Sequence, residues 1–134
     1  MGAWNFTAFG NDDAADFSGA LQGAKHPVAL LKKTFARAAV QDYLEALDGS
    51  QIVAAASVVA ADCNEDPQGL PEDVAAWVAT RNGKLKSLAP IALTAIQRVT
   101  SEDSELCELW QDSEDFEQWL ETVESIGRTL ESVN

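Results

Sequence analysis

The chain has 134 residues, 46% of them apolar, and sets 22 acids against 9 bases for a formal net charge of -13. That length suits one domain with a proper hydrophobic core, and that apolar share excludes a disordered chain. A surface this acidic repels phosphate backbones and anionic lipid, which sets aside nucleic acid and membranes as partners and favours a basic protein or a cation.

Alanine is plentiful, and Val and Ile never alternate with polar residues, so helices are expected throughout. The first ten residues read as an aromatic loop carrying Trp4, Phe6 and Phe9. Asn11 then caps a helix whose first turn holds Asp12 and Asp13, where negative charge suits the helix dipole. That helix is expected to run to about Gln22 and stop at Gly23. Pro27 opens a second helix, with Val28, Leu31, Phe35 and Ala38 on one face and Lys32, Lys33 and Arg37 largely away from it.

A break near Asp48-Gly49 leads into Ile52–Ala61, which is apolar all round and is expected to be the most buried helix. After a polar loop from Asp62 to Gly69, Pro71 starts a fourth helix, with Val74, Trp77 and Val78 at helical spacing, and Asn82-Gly83 ends it. Leu88, Ile91, Ala92, Ala95, Ile96 and Val99 form the next stripe, with Pro90 in its first turn, where amides lack intrahelical acceptors. A short helix around Leu106, Leu109 and Trp110 follows. Ser113 caps the last, whose stripe is Phe116, Leu120, Val123, Ile126 or Gly127, and Leu130. The expected architecture is all-α: one domain over residues 1–134, an irregular bundle of six to seven helices with an aromatic N-terminal loop.

The start of the chain lacks a basic stretch followed by an apolar run, so no secretory signal is expected. Ile52–Ala61 is half a membrane span. Cys63 and Cys107 have neither metal-type nor redox-type spacing and read as reduced thiols of a cytoplasmic protein.

The string Gly2-Ala3-Trp4-Asn5-Phe6-Thr7-Ala8-Phe9-Gly10-Asn11-Asp12-Asp13-Ala14-Ala15-Asp16-Phe17 resembles a bacterial family known as domain of unknown function 4259. Leu70-Pro71-Glu72-Asp73 leading to Ala76-Trp77-Val78, and Ser104-Glu105-Leu106 leading to Leu109-Trp110, fit the same family. Trp4, Phe9, Asn11, Asp12, Asp16 and Phe17 carry the motif. Asn5 and Thr7 stand where the family has glycines, so the loop backbone is expected to differ from that of its relatives. The resemblance implies a domain and no activity.

Three polar groups invite a functional reading. Asp12 and Asp16 lie one turn apart beside Asp13, so they are candidate ligands for a divalent cation. The plainer account is a capped helix, with Asp16 bonded back to the loop or to the Trp4 indole. Asp62-x-Asn64-x-Asp66 imitates a calcium loop, but Pro67 sits where that loop needs Gly and Asp73 where it needs Glu. His26, the one histidine, precedes Pro27 at a helix start and is a capping or surface residue before it is a catalyst. No nucleophile elbow and no glycine-rich phosphate loop occurs, so an enzyme is the less favoured reading and no cofactor is expected.

The third group is the acidic C-terminus. Half of the 22 acids lie from Glu102 to Glu131, opposed there only by Arg128. Glu105, Glu108, Asp112, Glu117 and Glu121 read either as a negative surface with Trp119 partly exposed within it as an anchor, or, more plainly, as a solvated face with Trp119 packed on the core margin. The leading expectation is an acidic domain that binds a basic protein, one version being an immunity or inhibitor protein over a cationic toxin site. The alternatives are a carboxylate-based divalent-metal domain or enzyme, and a structural homo-oligomer packed through its alanine-rich helices.

Overall fold

A computed structural model describes residues 7–64 and 70–132. Seven α-helices stand among them: α1 (Asp12–Gly23), α2 (Pro27–Val40), α3 (Ala46–Asn64), α4 (Glu72–Ala79), α5 (Ala89–Val99), α6 (Glu105–Gln111) and α7 (Phe116–Glu131), with a 3-10 turn, Lys86–Leu88, leading into α5. The described residues contain no strand; Leu44 and Ser104 form an isolated parallel bridge. The all-α bundle is the fold that the apolar spacing implies.

Helix α3 is its axis and touches every other helix. From Ile52 to Ala61 every residue but Ser57 is buried, which is what a segment apolar on all sides requires. The helix is long and apolar enough to cross a membrane, and 67% of that window is buried inside the fold, as for a core helix. Its start corrects the sequence reading. Asp48 and Gly49 do not break the chain but lie within α3, and the break is at residues 41–45. Asp48 suits the first turn, where it receives Arg37 at 3.2 Å and the Gln41 amide at 2.7 Å. Gly49 marks close approach instead of a turn: a Cβ there would sit 3.2 Å from Leu106 Cβ of α6.

The remaining helices turn their stripes onto α3. The Asn11 side chain accepts the Ala14 N–H at 2.8 Å and caps α1, whose Ala14, Phe17 and Leu21 are buried. In α2, Leu31, Phe35 and Ala38 point inward, while Val28 is 39% exposed. In α5, Leu88 from the preceding turn joins Ala92, Ala95, Ile96 and Val99 in the core, but Ile91 is 39% exposed. At about 100° per residue Ile91 sits a quarter turn from Ala92, on the edge of the stripe. Trp119, Val123 and Leu130 of α7 are buried, with Phe116, Leu120 and Ile126 half-buried against them. Ser113 does not cap α7: its hydroxyl accepts the Asp115 N–H in the turn before the helix, and Asp115 holds the cap position. Pro71 likewise occupies the cap position of α4 and the helix begins at Glu72.

Candidate functional site

The C-terminal acids do not form one uniform surface. Helix α6 is short, and its apolar positions Leu106, Cys107 and Trp110 all turn inward. That leaves Glu105, Glu108, Leu109 and Asp112, spaced i, i+3, i+4 and i+7, on the outer face. Two of these acids have structural work. Glu105 Oε1 accepts the Ala46 N–H at 2.7 Å, capping the start of α3. Glu108 accepts the phenolic hydroxyl of Tyr43, at 3.0 Å to Oε2.

Farther along, Asp112, Glu117 and Glu121 are exposed. Glu121 pairs with Arg128 at 2.7 Å, both side chains more than half exposed, so the pair is screened by solvent. It is the one C-terminal acid with a cationic side chain within bonding distance among the described residues. The C-terminal acids are thus mostly exposed carboxylates, largely without cationic partners among the described residues, on α6, α7 and the turn between them.

Trp119 is not an exposed anchor among them. Trp119 is only 3% exposed, stacked on Trp110 at a centroid separation of 5.9 Å and an interplanar angle of 9°, with Phe116 on it at 6.2 Å. Placed one residue beside the Phe116/Leu120 stripe, it was expected at the margin. The α6–α7 turn brings Trp110 against it, and the two large rings bury each other. Trp119 is a core residue that welds α6 to α7.

Among the described residues the exposed large apolar side chains include Val40 at 78%, Tyr43 at 45%, Leu47 at 48% and Leu109 at 51%. Residues 41–45 form a strap against the start of α6. The Leu44 N–H donates to Asp103 O at 2.8 Å and the Glu105 N–H to Leu44 O at 2.9 Å. Arg98 reinforces it from α5, donating to the carbonyls of Gln41, Asp42, Glu102 and Asp103. Loss of hydration first, then the Glu108 hydrogen bond and the neighbouring carboxylates, raises the Tyr43 phenol above its ordinary pKa. No periodic pattern runs through residues 41–45, so only the lone tyrosine between two acids hinted at this strap.

The other candidates fall to structural roles or stay isolated. Asp12 and Asp16 are exposed on α1 and Asp13 half-exposed, and Asp16's expected bond to Trp4 falls outside the described residues, as do Asn5 and Asp66. Among the described residues no three His, Cys, Asp or Glu side chains are grouped so as to hold a metal ion. Asp62 is no calcium ligand in waiting: it is buried at the end of α3 and accepts the Gly83 N–H at 2.9 Å and the Leu85 N–H at 2.8 Å. His26 occupies the cap position of α2 without a side-chain capping bond and is exposed. Cys63 and Cys107 are free thiols, and burial raises both above the ordinary cysteine pKa, so neither is an activated nucleophile. The alanines at the heart of α3 are buried within the chain.

Two shallow grooves flank α7. One, of about 290 Å³, runs between α5 and α7 past Leu93, Gln97, Gly127 and Arg128. The other, of about 170 Å³, lies between α3 and α7 and is lined by small and polar residues such as Ser57, Asn64 and Ser125.

Residues 2–122 match the family model described as domain of unknown function (DUF4259). No curated protein and no solved structure shows a significant match. The chain belongs to the DUF4259 family, and the match takes in α1 to α6 and the first half of α7.

Proposed function

We propose that this member of the family is an intracellular protein-interaction domain that binds a basic protein partner through its C-terminal acidic face. One observation carries the reading: eleven acids lie from Glu102 onward, and among the described residues one of them is ion-paired. Uncompensated carboxylates on one side of a fold raise the local concentration of cationic partners and speed their encounter. The same field disfavours nucleic acid and anionic lipid. A protein that occludes the cationic active site of a toxin or nuclease, as an immunity protein does, is the specific form this chemistry suits.

The test is capture of partners from the lysate of the source cell by the wild-type chain and by a variant with Asp112→Asn, Glu114→Gln, Glu117→Gln and Glu124→Gln. These four side chains are exposed and make no ion pair among the described residues, so the fold is expected to survive. A basic protein retained at low salt, released at high salt and lost with the neutralised variant is the expected result. Retention indifferent to both salt and neutralisation overturns the reading.

A further inference from the structure

Single exposed apolar side chains are ordinary on a protein surface, but a group of them on one seam is not. Tyr43 belongs to the strap, Leu47 to the start of α3 that follows it, and Leu109 to the outer face of α6. The Tyr43 hydroxyl is tied to Glu108, the residue before Leu109, and the Glu105 carboxylate one turn before Leu109 holds the amide of Ala46, the residue before Leu47. Three exposed apolar side chains are thus carried on two segments laced to each other. The bond to Glu108 fixes the Tyr43 ring, so less side-chain freedom is lost when something packs on it.

The charge around this seam is one-sided. Asp42, Glu45, Glu102, Asp103, Glu108 and Asp112 are all exposed on the same two segments or on the loop leading into α6. Of the bases bonded here, Arg98 gives its guanidinium to main-chain carbonyls and Arg37 is already paired with Asp48. A second copy docking on the same seam by two-fold symmetry would set these carboxylates against themselves, and an anionic membrane would be repelled.

We infer that the strap–α6 seam is the docking surface for a basic protein partner whose apolar side chains, interspersed with Lys or Arg, pack on Tyr43, Leu47 and Leu109. The inference rests on the acidic-face reading and locates its contact: the carboxylates steer the partner and the apolar centre holds it.

The test uses the full chain and two synthetic peptides of equal length and charge, one of Lys and Leu and one of Lys and Ala, titrated calorimetrically at low salt. Both are expected to bind, the Lys/Leu peptide about tenfold more tightly or better. The double variant Leu47→Ser/Leu109→Ser is expected to bind both peptides equally, while Ile91→Ser, which alters an exposed apolar residue on α5, keeps the preference. Equal affinity of the wild-type chain for the two peptides, or a preference that survives in the double variant, overturns the seam and leaves the acidic-face reading standing. Failure of both peptides to bind overturns that reading itself. A dimer of the free chain that Leu47→Ser/Leu109→Ser dissociates would give the seam to a second copy and also overturn the inference.

Discussion

Asp62 and Arg98 each use one charged side chain to fasten loops to the bundle, Asp62 from inside the core and Arg98 from its edge. Asp62 is 3% exposed and receives two main-chain N–H groups of the turn after α4. That turn needs an anchor, because Asn82 and Gly83 both adopt positive φ, at 52° and 79°, and such a reversal brings successive amides to face one acceptor. Arg98 is only partly buried, and it donates to carbonyls of two loops at 3.0 to 3.4 Å and to the Ser101 hydroxyl at 3.1 Å. Water can replace much of what Arg98 does and almost nothing of what Asp62 does. The dry clamp is therefore expected to govern stability, and the wet clasp to govern the local order of the strap.

Replacing Asp62 by Asn is the severest test of that difference. The amide keeps the size but turns a donor toward one of the two N–H groups, leaving a buried donor unmet. A loss of about 3 kcal/mol is expected, read from thermal or denaturant unfolding. A loss well under about 1 kcal/mol would mean that water reaches this turn and that the contrast with Arg98 is false.

Arg98→Ala is expected to cost about 1 kcal/mol globally, because its carbonyl acceptors are open to solvent. Its local effect should be larger. Hydrogen exchange at the amides of Leu44 and Glu105, which form the strap's bridge, is expected to accelerate ahead of global unfolding. Arg98→Lys should not restore protection, since one ammonium cannot span two loops as the planar guanidinium does. Unchanged exchange at both amides would show that the strap holds without its clasp.

These two residues also mark where sequence reasoning ends. Apolar spacing every three to four positions exposes the helices directly, and Leu88, Ala92, Ala95, Ile96 and Val99 fall where that spacing puts them. Spacing is blind to contacts between distant segments. Asp62 reads as half of a calcium loop because its donors lie 21 and 23 residues on. Gly49 reads as a breaker because Leu106, which needs the space, is far along the chain. Trp119 reads as marginal because the stripe of α7 is drawn without Trp110 beside it. The exposure of the C-terminal acids was legible since charged side chains stay at the surface, whereas the exposure of Tyr43 and Leu47 was not, since they lie in or beside a loop that no periodicity describes.

The smallest expected effect gives the finest reading of the strap. Tyr43 is the single tyrosine, so its phenol can be titrated by near-ultraviolet absorbance without overlap from another. Its midpoint is expected above the ordinary value of about 10, chiefly because hydration is lost and then because Glu108 accepts the hydroxyl proton. A folded pKa raised above the unfolded one means that the protonated, bonded phenol favours the fold at every pH below about 10, and that this contribution is lost as pH rises through the folded midpoint. Glu108→Gln is expected to lower the midpoint. Arg98→Ala should lower it too, by freeing the strap from α6, while Asp62→Asn, acting on the far turn, should leave it in place under conditions where the variant stays folded. A midpoint that follows Asp62 as closely as Arg98 would merge the two clamps into one cooperative unit, and a strap melting only with the core would offer a partner no independently ordered surface.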